Sequence, residues 1–161
     1  CDTPLDISAD DIVKYQNGEV SADKSCKYLD LIIKIFQKTP EAQSIFISMP
    51  AAVMGFAIAN VEFDARLIPE SYIMLKDVKR LPYAAIGDYD MIADALTTSC
   101  PVTIIDNEGI IAIGKNTLKA FDRLEVCDYS ARSVLLAKSA ANIKPINEEQ
   151  VKEIDDNFNG W

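Results

Sequence analysis

The residue type most used for chemistry near neutral pH is missing from this chain of 161 residues: there is no histidine. Thiols are the next resource. Cys1, Cys26, Cys100 and Cys127 are scattered and form no Cys-x-x-Cys pair, a spacing that fits neither a zinc knuckle nor a secreted disulfide framework. They read as reduced thiols of a cytoplasmic protein. As a nucleophile, Cys1 or Cys26 would lack the histidine that usually takes the thiol proton. An opening cysteine also fits a processed or lipid-modified N-terminus, or the start of a fragment. Lys24 and Ser25 lie near the start of a predicted helix, where unpaired N–H groups and the helix dipole favour an anion. Ordinary capping by Ser21 or Asp23, with a solvated Lys24, explains the same residues. Met49 and Met54 suit a filled apolar pocket better than a ligand site.

The elements that position these residues alternate in type. Asn17-Gly18 supplies the positive φ angles of a tight turn and predicts a short hairpin beginning at Ile12–Gln16. Cys26, Leu29, Ile33 and Phe36 recur at helical spacing within Ala22–Gln37, which Pro40 ends. Ser44–Ser48 reads as a buried strand, and Pro50 opens a helix running to about Ala59. Ile73–Leu75 and Val78–Leu81 are weaker strands, and Tyr89–Thr98 a short helix. Val102–Asp106 and Ile110–Ile113 flank Asn107-Glu108-Gly109 as an antiparallel hairpin. Asn116 then caps a long helix whose inner face carries Ala120, Leu124, Cys127, Ala131 and Val134. Asp122, Arg123, Glu125, Asp128 and Arg132 fall largely on its wet side. Pro145 closes the domain, and Asn147–Asn157 is an acidic tail able to form a helix. Strands mixed with helices, some paired as hairpins, predict an α/β fold with helices on both faces of a mixed sheet.

Charge narrows the partners. Sixteen Lys and Arg against 25 Asp and Glu leave a net charge of −9, which repels a phosphate backbone, and no basic block offsets it. The longest apolar stretches, such as Met49–Ala59, fall short of the roughly 20 residues a membrane span needs. Nothing near the first residue has the charged-then-apolar order of a signal peptide.

One run of residues carries a family likeness. Ile105-Asp106-Asn107-Glu108-Gly109-Ile110-Ile111-Ala112-Ile113-Gly114-Lys115 resembles the strand–His-Gly–strand–Gly-Lys signature of the class II aldolase/adducin family. Ala120-Phe121-Asp122-Arg123-Leu124-Glu125 is similar to that family's long helix, and Ala131-Arg132 and Leu135-Leu136-Ala137 extend the match. Pro82-Tyr83-Ala84 with Gly87 is similar to its Pro-Tyr segment, and Ile47-Ser48-Met49-Pro50 stands where the family has His-x-His-Pro. Thr3-Pro4 and Asp10-Asp11-Ile12-Val13 resemble its opening stretch, so the likeness runs in order over residues 2 to 140.

The resemblance implies a site that this chain has altered. Enzymes of the family hold a divalent metal, usually zinc, with three histidines beside a carboxylate acid/base. The metal polarises a sugar-phosphate carbonyl and stabilises the enediolate left by carbon–carbon cleavage. Carried over by position, the ligands become Ile47, Met49 and Glu108, and the catalytic glutamate becomes Cys26. Tyr72 falls roughly where the family's aldolases place a proton-donating tyrosine, although a residue of this kind is more often a packing or interface aromatic. The family's first helices and Gly-Asn phosphate loop would precede Cys1.

The resulting expectations are specific. Residues 1–145 should form the family domain without its N-terminal part, followed by an acidic tail over 146–161. The fold should be three-layer α/β/α about a mixed, largely antiparallel sheet, with Ile47, Met49 and Glu108 meeting at one sheet end and no metal cofactor. The leading function is a non-catalytic domain acting in oligomerisation or in binding a partner or small phosphorylated ligand, as adducin's head region illustrates. Ala51–Ala59 and Ile68–Leu75 are the candidate assembly surfaces. The alternatives are a sugar-phosphate aldolase-type lyase with an atypical site and, third, an enzyme with a cysteine nucleophile.

Overall fold

A sheet of four strands organises the chain, in the order Ser44–Ser48, Gly109–Gly114, Val102–Ile105 and Val78–Leu81. The structure is a computed structural model, and it describes residues 8, 11–20, 26–59, 61–140 and 142–158. The chain divides at residue 30 into two units.

In the first unit, β1 (Tyr15–Gln16) and β2 (Glu19–Val20) pair antiparallel around Asn17 and Gly18, which have φ values of 53° and 87°. That is the predicted hairpin, with shorter strands. The helix predicted from Ala22 begins later: α1 is Leu29–Lys38, preceded by a turn, and residues 21–25 lie outside the described residues.

In the second unit, β3 (Ser44–Ser48) leads into α2 (Ala51–Ile58), and α3 (Pro69–Leu75) precedes β4 (Val78–Leu81). After α4 (Tyr89–Ala95) come β5 (Val102–Ile105) and β6 (Gly109–Gly114), then α5 (Thr117–Ala140) and α6 (Glu148–Asn157). The β3–β6 and β5–β6 pairs are antiparallel and β4–β5 is parallel, so the sheet is mixed and largely antiparallel.

Every residue of β5 and β6 is buried, as strands covered on both faces must be. Val102, Ile104, Ile110 and Ala112 share one face and pack with Val53 and Phe56 of α2, Leu75 of α3, and Cys127, Ala131 and Val134 of α5. Ile105, Ile111 and Ile113 fill the other face. The remaining buried apolar residues include Leu31 and Ile35 of α1 and Ile92 of α4. Lys34–Asp90 and Lys38–Asp94 ion pairs, with Thr39 Oγ1 donating to the Leu96 carbonyl at 2.8 Å, tie those two helices together. The architecture is the expected three-layer α/β/α.

Three readings are corrected. Ile73–Leu75 is not a strand: Pro69 at the first helical position starts α3, and Ser71 and Leu75, four apart, are its buried side. Arg123 and Asp128 are not on a wet face. Arg123 Nη1 donates to the Ile113 carbonyl at 2.7 Å. Asp128 Oδ1 accepts the Ala52 N–H at 3.2 Å, serving α2, whose own N-cap Pro50 has no side chain to offer. Finally, most apolar side chains of Ala51–Ala59 and Ile68–Leu75 serve the core: Ala52, Val53, Phe56, Ala57 and Leu75 are buried, while Ile58 stays 66% exposed.

Candidate functional site

The sheet end where β3 gives way to α2 is built by register. Ser48 pairs with Ile110 and Ile47 with Ile111, so Met49 arrives beside Gly109 at the start of β6. Gly109 has φ 151°, and a Cβ there would stand 2.4 Å from the Ser48 carbonyl oxygen and 3.1 Å from Met49 Cγ. Only glycine permits this approach. The turn before it is fastened on three sides. Asn107, at φ 60°, donates its N–H to the Ala57 carbonyl at 3.1 Å, and Asp106 donates its N–H to the Leu81 carbonyl at 2.9 Å. Arg80 forms an ion pair with the Asp106 carboxylate and donates to the Val61 carbonyl at 2.9 Å. The sequence reading missed this clamp; an arginine and an aspartate of opposite charge, Arg80 and Asp106, in two successive predicted strands were its available signal.

Strand alternation puts Ile47 and Met49 on one side of β3, and Glu108 precedes the glycine against which Met49 lies. Residues 47, 49 and 108, expected from the resemblance to be the family-site positions, thus lie near the same end of the β3–β6 pair. Their chemistry is poor in donors. Ile47 is hydrocarbon, Met49 is a thioether 71% exposed, and Glu108 supplies a single carboxylate. Zinc is held by three or four imidazole, thiolate or carboxylate donors, and these side chains do not fit it. Among the described residues no three His, Cys, Asp or Glu side chains are grouped so as to hold a metal ion.

Cys26 is a half-buried free thiol of the first unit, while Lys24 and Ser25 lie outside the described residues. Tyr72 sits on α3 and donates its hydroxyl to Asp155 Oδ2 of α6 at 3.0 Å. Lys76 Nζ lies 5.2 Å from the Tyr72 ring centroid and 3.6 Å from Asp155 Oδ1. Burial, and then the bond to Asp155, push the Tyr72 phenol above its ordinary pKa. In this arrangement Tyr72 clamps the C-terminal helix. Cys100 and Cys127 are buried, and burial raises both thiols, Cys127 to about 12, leaving neither as a thiolate near neutral pH.

Comparison with known proteins agrees with the fold and the likeness. The family model of the Class II Aldolase and Adducin N-terminal domain matches residues 5–135. The chain is 24% identical over 131 residues to the L-fuculose phosphate aldolase of Methanocaldococcus jannaschii, covering 81% of this chain and 72% of that one. It is 22% identical over 116 residues to the L-fuculose phosphate aldolase of Methanococcus maripaludis, where it spans 64% of the relative's length. Among solved structures, the L-fuculose 1-phosphate aldolase from Glaciozyma antarctica matches with a TM-score of 0.69 at 22% identity, over 87% of this chain and 57% of that one. The family match over residues 5–135, most of the chain, makes this chain a member of the class II aldolase/adducin family.

Proposed function

We propose that this chain is a non-catalytic member of its family, which acts in self-assembly or in binding a partner or a small phosphorylated ligand. One observation carries the reading: the sheet end offers a hydrocarbon, a thioether and one carboxylate at positions 47, 49 and 108 in a chain without histidine. Without a Lewis acid, the electrons of a breaking carbon–carbon bond have no sink there, and Glu108 alone can only move a proton. No divalent metal is expected as cofactor.

Self-assembly is favoured by the outer side of α5. Leu118, Phe121, Tyr129 and Leu136 recur three to eight residues apart, on one helical stripe, and are 45–67% exposed. Such a stripe is the kind of surface that a symmetric oligomer covers. Nucleic acid is disfavoured by the −9 charge. No helix among the described residues is long and apolar enough to cross a membrane. Free thiols at Cys26, Cys100 and Cys127 favour a reducing, cytoplasmic setting.

The names of the curated relatives favour a second reading, an aldolase-type lyase acting on a sugar phosphate with an atypical site. Incubating the full chain with L-fuculose 1-phosphate, with and without added zinc, separates the two. The first reading predicts no carbonyl product above the protein-free rate. Turnover that disappears in Glu108→Gln would establish the second.

A further inference from the structure

The far end of β6 from Glu108 carries a second constellation. Lys115, Lys119 and Arg123 recur every four residues from the end of β6 into α5, and with Thr98 and Glu41 they line a cavity of about 210 Å³. Gly114 makes the corner tight, because a Cβ there would stand 2.4 Å from the Ala120 N–H nitrogen. Strand and helix are therefore jammed together, and the basic side chains converge on the strand end. The lining sets Lys115, Lys119 and Arg123 beside a single carboxylate, Glu41, on a chain whose net charge is −9. A local excess of that sign needs a reason.

Arg123 supplies one. Its Nη1 is fixed by the Ile113 carbonyl at 2.7 Å, while its Nε is buried with no hydrogen-bond partner. No carboxylate lies within ion-pairing distance of it among the described residues. Burial alone pushes its pKa down, yet a guanidinium keeps its proton in a protein, so a partly desolvated cation stands with only a neutral acceptor. Nη1 being taken, the side of the fork that carries Nε remains for a second acceptor, and planar two-oxygen recognition is what arginine does best. The helix cap does not compete, since the Lys119 N–H is already bonded to Asn116 Oδ1 at 2.8 Å.

We infer that this cavity is a binding site for a small oxyanion, a phosphate or a carboxylate, held by the Arg123 guanidinium with Lys115 at the mouth. At about 210 Å³ it is smaller than the roughly 300–1,000 Å³ of sites for drug-sized ligands, so it takes a phosphate or short acid rather than a nucleotide. It is separate from the family-site end: β6 runs from Gly109 to Gly114, roughly 17 Å of strand. The inference therefore stands whether or not the chain is a lyase.

The test is an NMR titration of the ¹⁵N-labelled full chain with sodium phosphate and, in a parallel arm, sodium acetate, each at constant ionic strength held by sodium chloride. The Arg123 Nε–H resonance is expected to shift saturably, with the Glu108 amide unmoved. A response to phosphate alone assigns a phosphate site, and a response to acetate as well assigns a general carboxylate site. Lys115→Gln, an exposed position that leaves the fold intact, should weaken binding about tenfold, the loss of one charge-assisted hydrogen bond. Arg123→Lys, which keeps the charge and loses the fork, should weaken it further. A shift in neither arm, a shift that never saturates, or equal affinity in Lys115→Gln and the unaltered chain overturns the assignment.

Discussion

Gly109 and Ser48 stand so close that a Cβ at position 109 would lie 2.4 Å from the Ser48 carbonyl oxygen, and the φ of 151° at Gly109 is one that L side chains rarely adopt. The two conditions act together, because relieving the clash by moving β6 would break its register with β3 at Ser48↔Ile110. Gly109→Ala is therefore expected to destabilise the fold by about 3 kcal/mol, from backbone strain plus overpacking. Urea unfolding measures it; a loss within error of zero would mean that the sheet end is looser than described.

Asp128 reaches across to the first turn of α2, accepting the Ala52 N–H 76 residues away in sequence. Asp128→Ala should cost about 1 kcal/mol, as loss of a helix cap does, and Asp128→Asn, which keeps an acceptor oxygen, should cost less. Equal effects of the two substitutions would contradict a capping role.

The Tyr72–Asp155 bond gives a pH-dependent contribution with a definite sign. Burial and the Asp155 carboxylate raise the Tyr72 phenol above its ordinary value of 10.0, so the folded state favours the protonated form. The contribution is complete below the unfolded value and is lost as pH rises through the folded one. Tyr72→Phe should lower stability by about 0.5–1 kcal/mol near neutral pH, with the difference from the unaltered chain shrinking above pH 10. A difference that grew with alkalinity would refute the assignment of the bond.

Assembly is tested on α5 rather than on α3, because Tyr72 is engaged within its own chain. Light scattering at several concentrations should give a discrete oligomer, and Leu118→Asp with Tyr129→Asp should dissociate it without loss of helical signal. A clean monomer of the unaltered chain at every concentration would remove self-assembly from the account.

What the sequence disclosed follows the reach of the forces involved. The β5–β6 hairpin was legible because two continuous apolar runs and the Asn107-Glu108-Gly109 turn between them are local signals. Ser44–Ser48 was legible as a short apolar run before Pro50, whereas Val78–Leu81, with Lys79 and Arg80 between its apolar ends, was the weaker signal. Ile73–Leu75 misled because three apolar residues have no period, and the deciding features, Pro69 and the spacing of Ser71 and Leu75, lay partly upstream. The roles of Arg123 and Asp128 depend on the Ile113 carbonyl and the Ala52 N–H, partners that helix periodicity cannot supply. At the sheet end, positions 47, 49 and 108 came from family likeness, whereas the Arg80–Asp106 clamp required the parallel pairing of β4 with β5.

The central claim is that the sheet end does not hold the divalent metal on which the family's enzymes depend. The direct measurement is the metal content of tag-free full chain, equilibrated with zinc, passed through desalting, and analysed by inductively coupled plasma mass spectrometry. Zinc should stay substoichiometric and should not change in Glu108→Ala. One tightly held equivalent that is lost on Glu108→Ala would contradict the claim.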